Sequence, residues 1–189
     1  MKKLLLIAFV AIASINVHAQ RKVQFNVDAS YLYGLQERTD FGNFSRSDFN
    51  MSGASLHLSA LYRFSDSFAA GAGIGLDRYN HPGYNTLPIF VKAKYSPLKP
   101  CKEAFLFGEL GRCIGTSDCT KGTILNTGFG YNLYSKNNFG INVKLGYNIN
   151  WAEGDFDIST LNESDYTFVS FKDIDHVRHS IFIGVGLEF

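Results

Sequence analysis

Proline is scarce in this chain, 4 of 189 residues, and beyond Ile15 no apolar run approaches the roughly 20 residues that a membrane-crossing helix needs. Bundles of transmembrane helices are thereby excluded. An excess of one charge is missing too: 18 Lys and Arg stand against 17 Asp and Glu, and no block of like charges forms a tail. Without a global field or a basic patch, nucleic acid is not an expected partner. Cysteine is limited to 3 residues, too few and too scattered to suggest a metal site. Composition does not shift along the chain, which argues for a single domain. What is abundant is glycine, 18 residues, and aromatics, at 15%, a bias towards strands with close backbone approaches.

The first residues have the form of a secretory leader. Lys2 and Lys3 supply the charged start, Leu4 to Ile15 the apolar stretch, and Val17, His18 and Ala19 an approximate small-residue cleavage site. Residues 1–19 are therefore expected to be removed, leaving 20–189 as the mature domain. No cysteine follows the apolar stretch, so a lipid-anchored N-terminus is not expected.

From there the pattern has period two. Val23, Phe25, Val27, Ala29, Tyr31, Tyr33 and Leu35 share one face, with Gln24, Asn26, Asp28, Ser30 and Gly34 on the other. Ala54 to Phe64 repeats the alternation, with Ser55, His57, Ser59 and Arg63 on the polar side. Phe68 to Asp77 sets apolar residues against Gly71, Gly73 and Gly75, and Leu87 to Tyr95 sets them against Phe90, Lys92 and Lys94. Ala104 to Cys113 alternates less cleanly, with Leu106, Gly108 and Leu110 opposite Phe105, Phe107 and Glu109. The stretch from Leu125 to Leu133, the stretch from Phe139 to Trp151 and the final Ser180 to Phe189 restore the pattern. Eight strands are expected, each near or above the roughly 9 to 11 residues that a tilted strand needs to cross a bilayer.

Connections alternate in length. Ser65 to Ser67, Pro97 to Glu103 and Tyr134 to Asn138 are short, whereas Gln36 to Asn50 and Ala152 to His176 are long. Short periplasmic turns and longer outer loops would place both chain ends in the periplasm. Period alone does not say which face points inwards, since a soluble ligand-binding barrel also alternates. The aromatics favour the membrane. Phe64, Phe68, Tyr95, Tyr131, Phe139 and Phe189 fall at one rim, and Tyr31, Tyr33, Tyr147 and Trp151 at the other, as two interfacial girdles. The opposite face carries Asp28, Arg63, Asp77, Lys92, Lys94, Glu109, Lys144 and Glu188, with His57 among them. These charges are costly in lipid and expected to pair in a narrow lumen.

On these features the mature chain resembles the small eight-stranded outer-membrane barrels of the OmpA/OmpX type. The fold class expected is all-β, an antiparallel up-and-down transmembrane barrel. The last strand, with Val185, Leu187 and Phe189 alternating outwards, is similar to the recognition signal read by the outer-membrane assembly machinery. The resemblance implies a bacterial outer-membrane location, contact with outer-membrane lipid and lipopolysaccharide, and a monomer; it does not fix an activity.

An eight-stranded lumen is just wide enough for side chains, so no open pore is expected. A structural or surface-interaction role is the main expectation, with no cofactor. Enzymes that modify lipids occur in this architecture, and His57 between Ser55 and Ser59, or His179 beside Ser180, are the candidates here. Neighbours on a strand point to opposite faces, which weakens both. Cys113 and Cys119 flank a short outer loop that a disulfide can close in an oxidising compartment. Cys101, twelve residues from Cys113 along a strand, belongs to the other rim and is expected to be free or to pair with another molecule. Recognition, if any, is assigned to loops 36–50 and 152–176. The first mixes Phe41, Phe44 and Phe49 with Arg38 and Arg46; the second carries Glu153, Asp155, Asp157, Glu163, Asp165, Asp173 and Asp175, a set suited to a divalent cation or to a surface partner.

Overall fold

A computed structural model describes residues 22–40, 42–48, 51–81, 83–98, 103–136, 139–162 and 165–189, with the backbone alone over 154–174. The expected leader, residues 1–19, lies outside the described residues, as does Cys101. The strands are β1 (Val23–Thr39), β2 (Gly42–Ser45), β3 (Ser52–Arg63), β4 (Phe68–Asn80), β5 (Tyr84–Thr86), β6 (Pro88–Tyr95), β7 (Ala104–Cys113), β8 (Lys121–Lys136), β9 (Phe139–Asn162) and β10 (Asp165–Glu188). Neighbours pair antiparallel in the order β10-β9-β8-β7-β6-β4-β3-β1, and β1 pairs back onto β10. Eight strands thus close into a barrel, which leaves the wall no free edge. The short β2 and β5 pair with β1 and β4 respectively.

Closure is tight at the rim that holds the last residue. Phe189 and Phe25 exchange backbone hydrogen bonds of 2.8 and 3.0 Å, and the Phe189 ring lies 5.6 Å from that of Phe139. The turn at 64–67 lies at the same rim, where the Phe64 and Ser65 N–H groups both donate to the Phe68 carbonyl. The other rim carries β2, β5 and the extended β9–β10 hairpin.

The apolar face points outwards. Leu56, Ile74, Val91, Leu110, Phe129 and Ile183 are each about half exposed or more, reaching 62% at Ile183. Tyr31, Tyr33 and Trp151 are exposed at the outer rim, and Phe64, Phe68, Tyr95, Tyr131 and Phe189 at the other. The soluble-barrel alternative required these residues inside, and the structure overturns it. Uncertain alternation in β7 resolves as the sequence suggested: Phe105, Phe107 and Glu109 are buried while Leu106 and Leu110 face out.

Two stretches differ from expectation. Residues 152–176 form no long loop, because β9 and β10 continue as a paired ribbon to Asn162 and Asp165. The many carboxylates there read as loop, yet period-two alternation persists beneath them. In the first loop, β1 runs on to Thr39 and folds back through β2, with Glu37 opposite Phe44. The barrel pairing of β1 with β10 slips between Gly34 and Gln36, a bulge at Leu35 that switches the inward parity from even to odd residues. Glu37 and Thr39 thereby turn inside.

Large inward rings are accommodated opposite glycine. Phe182 pairs across the ladder with Gly146, and Phe105 with Gly130. A Cβ on Gly146 would sit 2.5 Å from Phe182 Cζ and 2.6 Å from the Thr127 carbonyl oxygen. Backbone cannot yield there. Gly146→Val is accordingly expected to lower stability by about 1–3 kcal/mol through overpacking, measured by urea unfolding in micelles. Gly108→Ala, where the nearest atom to a new Cβ is 3.9 Å away, should leave the transition unchanged.

Candidate functional site

Inward charge is organised around Asp28 on β1. Its Oδ2 accepts from Lys92 Nζ of β6 at 2.5 Å, and its Oδ1 accepts from Lys144 Nζ of β9. Lys92 also reaches Glu109 Oε1 of β7 at 2.9 Å. His57 on β3 bridges two acids, with Nδ1 2.9 Å from Glu109 Oε2 and Nε2 2.9 Å from Asp77 Oδ1 of β4. With both acids ionised, each only accepts, so both ring nitrogens donate and His57 is the imidazolium. Three acids, Asp28, Asp77 and Glu109, are then matched by three cations, Lys92, Lys144 and His57.

Neutral groups extend the network. Asn126 donates to Glu109 at 2.9 Å, Asn148 to Asn126 at 2.7 Å, and Tyr79 to Asn148 at 3.3 Å, while Thr86 of β5 donates to Asp77 at 3.2 Å. Such a network is expensive to desolvate and holds only when its members satisfy one another. Between these side chains remains a cavity of about 20 Å³, lined by Asp28, His57, Glu109, Lys144 and Phe182 among others. That is room for about one water.

Nearer the rim that holds the last residue, Lys94 pairs with Glu188, which also accepts from Asn142 at 2.9 Å. Lys94 Nζ lies 4.1 Å from the Phe105 ring centre. Arg63 shares the face but ends its strand at the rim and is exposed, so it does not belong to the lumen network. The other expected lumen charges are all buried or half-buried within it.

At the outer mouth sits a second cluster that the sequence reading missed. Arg178 of β10, 0% exposed, pairs with Glu37 at 3.4 Å and donates to the carbonyls of Ser52 at 3.1 Å and Asn80 at 3.2 Å. His176 lies 3.6 Å from the other Glu37 oxygen. Tyr84 of β5 stacks on Tyr79 at 4.6 Å and meets the His176 ring edge-on at 4.7 Å. Leu32 and Phe182 join these rings in one buried cluster, and Phe44 of β2 packs against it. Phe44, assigned with the first loop to any recognition, is therefore drawn into the plug.

The enzymatic candidates are not assembled. Both His57 nitrogens are engaged by carboxylates, so neither can take a proton from a serine. His179 faces outwards, bonded through Nδ1 to the Tyr147 hydroxyl at 3.0 Å, while Ser180 is buried on the opposite face. Cys113 points inwards against Phe90 and Ile124, and it and Cys119 carry free thiols, so the bridge expected between them is not formed. Of the acidic residues in the last hairpin, Glu153 pairs with Lys121 at 3.2 Å; Asp155, Asp157, Asp165 and Asp173 lie outside the described side chains, and Glu163 outside the described residues. Phe41 and Phe49 also lie outside the described residues. Arg46 stacks 3.6 Å from the centre of the Tyr33 ring and donates to the Met51 carbonyl, fastening the first loop to the outer girdle.

No family model and no curated protein matches the chain. In structure it is similar to Neisserial surface protein A, at 19% identity over 88% of this chain and 97% of that one, with a TM-score of 0.45. It is also similar to a de novo designed transmembrane β-barrel, at 13% identity over 90% and 98% of the two chains and a TM-score of 0.45. A third similar structure is the outer membrane protein OprG from Pseudomonas aeruginosa, with 13% identity, coverage of 92% and 99%, and a TM-score of 0.41.

Proposed function

We propose that this chain is a bacterial outer-membrane barrel with a structural or surface-interaction role and no open pore. One observation carries the reading: a closed wall turns an apolar belt between two aromatic girdles outwards while charged and aromatic side chains fill its lumen. In water that belt would be a large exposed apolar surface; in lipid it is the required one. The cavity inside the charge network has room for about one water, which supports a lumen without a solute path. Outer-membrane lipid and lipopolysaccharide surround the belt, and the anchored rim presents the first and last hairpins.

Liposomes loaded with the folded protein should swell in isosmotic sugar no faster than protein-free ones, and planar bilayers should show no steady conductance. Swelling at the rate of a general porin would refute the closed lumen. Val185, Leu187 and Phe189 serve the assembly machinery in this account. Their strand closes the seam against β1, so Phe189→Ser should deplete the heat-shifted form in outer membranes several-fold, read by gel migration with and without boiling. Unchanged assembly of that variant would remove the signal role.

A further inference from the structure

At the level of the outer girdle and just beyond it, the wall carries a cleft of about 740 Å³ that takes no part in the central charge network. Two regions that look separate in sequence build it. Arg38, Asp40 and Asn43 come from the end of β1, the turn that follows it and β2; Trp151, Glu153 and Asp175 come from β9 and β10. The ladder explains their meeting, because Arg38 lies opposite Val177, which lies opposite Trp151. The volume is within the range of small-molecule sites.

Among the described residues the lining mixes donors with acceptors around the flat apolar ring of Trp151. Arg38 Nε donates to Asn43 Oδ1 at 3.3 Å, which holds the guanidinium at the wall. Asp40 and Asp175 are exposed acceptors, and Trp151 is 39% exposed. A sugar hydroxyl donates and accepts at once, whereas its C–H face is apolar, so a saccharide matches both kinds of lining. Glu153 is paired with Lys121, which leaves Asp40 and Asp175 against Arg38, a balance that gives a polyanionic ligand no net attraction. Arg38 in turn disfavours a cationic peptide. We propose that this cleft binds a neutral saccharide of one to a few sugar units. The proposal rests on the surface-interaction reading above and names its ligand class.

Trp151 is the only tryptophan of the chain, so its emission isolates the cleft. The folded protein in detergent would be titrated with maltose, lactose, trehalose and N,N′-diacetylchitobiose, and separately with trilysine and inorganic phosphate. The expected result is a saturable emission shift with at least one disaccharide, weakened about tenfold or more by Asp175→Asn and by Arg38→Gln, each still heat-modifiable. No saturable shift with any disaccharide, or a shift that both variants leave intact, overturns the proposal. So does a response to trilysine or phosphate alone, which would assign the cleft to a cationic peptide or to an anion. Protein that shows no heat-shifted form defeats the barrel reading itself and takes the cleft with it.

Discussion

Asp28→Asn should cost the barrel about 3–5 kcal/mol of unfolding free energy, the loss associated with removing one partner of a buried ion pair. Among the described residues Asp28 is the one carboxylate that pairs with both Lys92 and Lys144, and all three are buried. Lys92 would keep Glu109 at 2.9 Å, but Lys144 would lose its ion-pair partner. A urea titration in micelles reads the loss as a lower midpoint at an unchanged slope. The double variant Asp28→Asn with Lys144→Met should regain much of it, because the stranded ammonium is then gone. A single variant as stable as the parent would show that the network is wetter than the structure has it.

Arg178→Met has the second largest expected effect, about 3 kcal/mol by the same argument, and a different location. It removes the cation that faces Glu37 and frees the carbonyls of Ser52 and Asn80, which lie on two other strands. Arg178 thus ties β10 to β1, β3 and β4 at the outer mouth. Amide hydrogen exchange should accelerate at Ser52, Gly53 and Asn80 while Asn26 and Asp28, deeper in the wall, stay protected. Adding Glu37→Gln should restore protection in part. Uniform acceleration along β1 would contradict a local plug and point to global destabilisation.

The barrel wall was legible because lipid outside and side chains inside impose alternation, which every strand but β7 carries clearly, β7 having Phe105 and Phe107 on its inward face as well. Asp28, Asp77, Lys92, Lys94, Glu109, Lys144, Glu188 and His57 were assigned to the lumen face by parity alone. Their partners were not, since pairing across a lumen joins strands far apart in sequence, such as His57 with Glu109. Glu37 was hidden by the bulge at Leu35, which nothing in the local residue types announces. His176 and Arg178 had a readable signal: counting back by twos from Ser180 puts both inside. The acidic residues around them masked it by resembling a solvated loop. Tyr79 likewise follows Asp77 on the inward face of β4, and Tyr84 and Thr86 reach the lumen through the short β5. Arg63 shows the converse limit, because parity assigns a face but not a depth, and at a strand end the lumen face opens to solvent.

The central claim is a closed barrel whose apolar face meets lipid. Fractionation of cells making the full chain, followed by gel migration of the detergent-extracted protein with and without boiling, tests it most directly. The account predicts recovery in the outer membrane, extraction only with detergent, and a mobility difference between boiled and unboiled samples. Recovery as a detergent-independent soluble protein with a single mobility would contradict it.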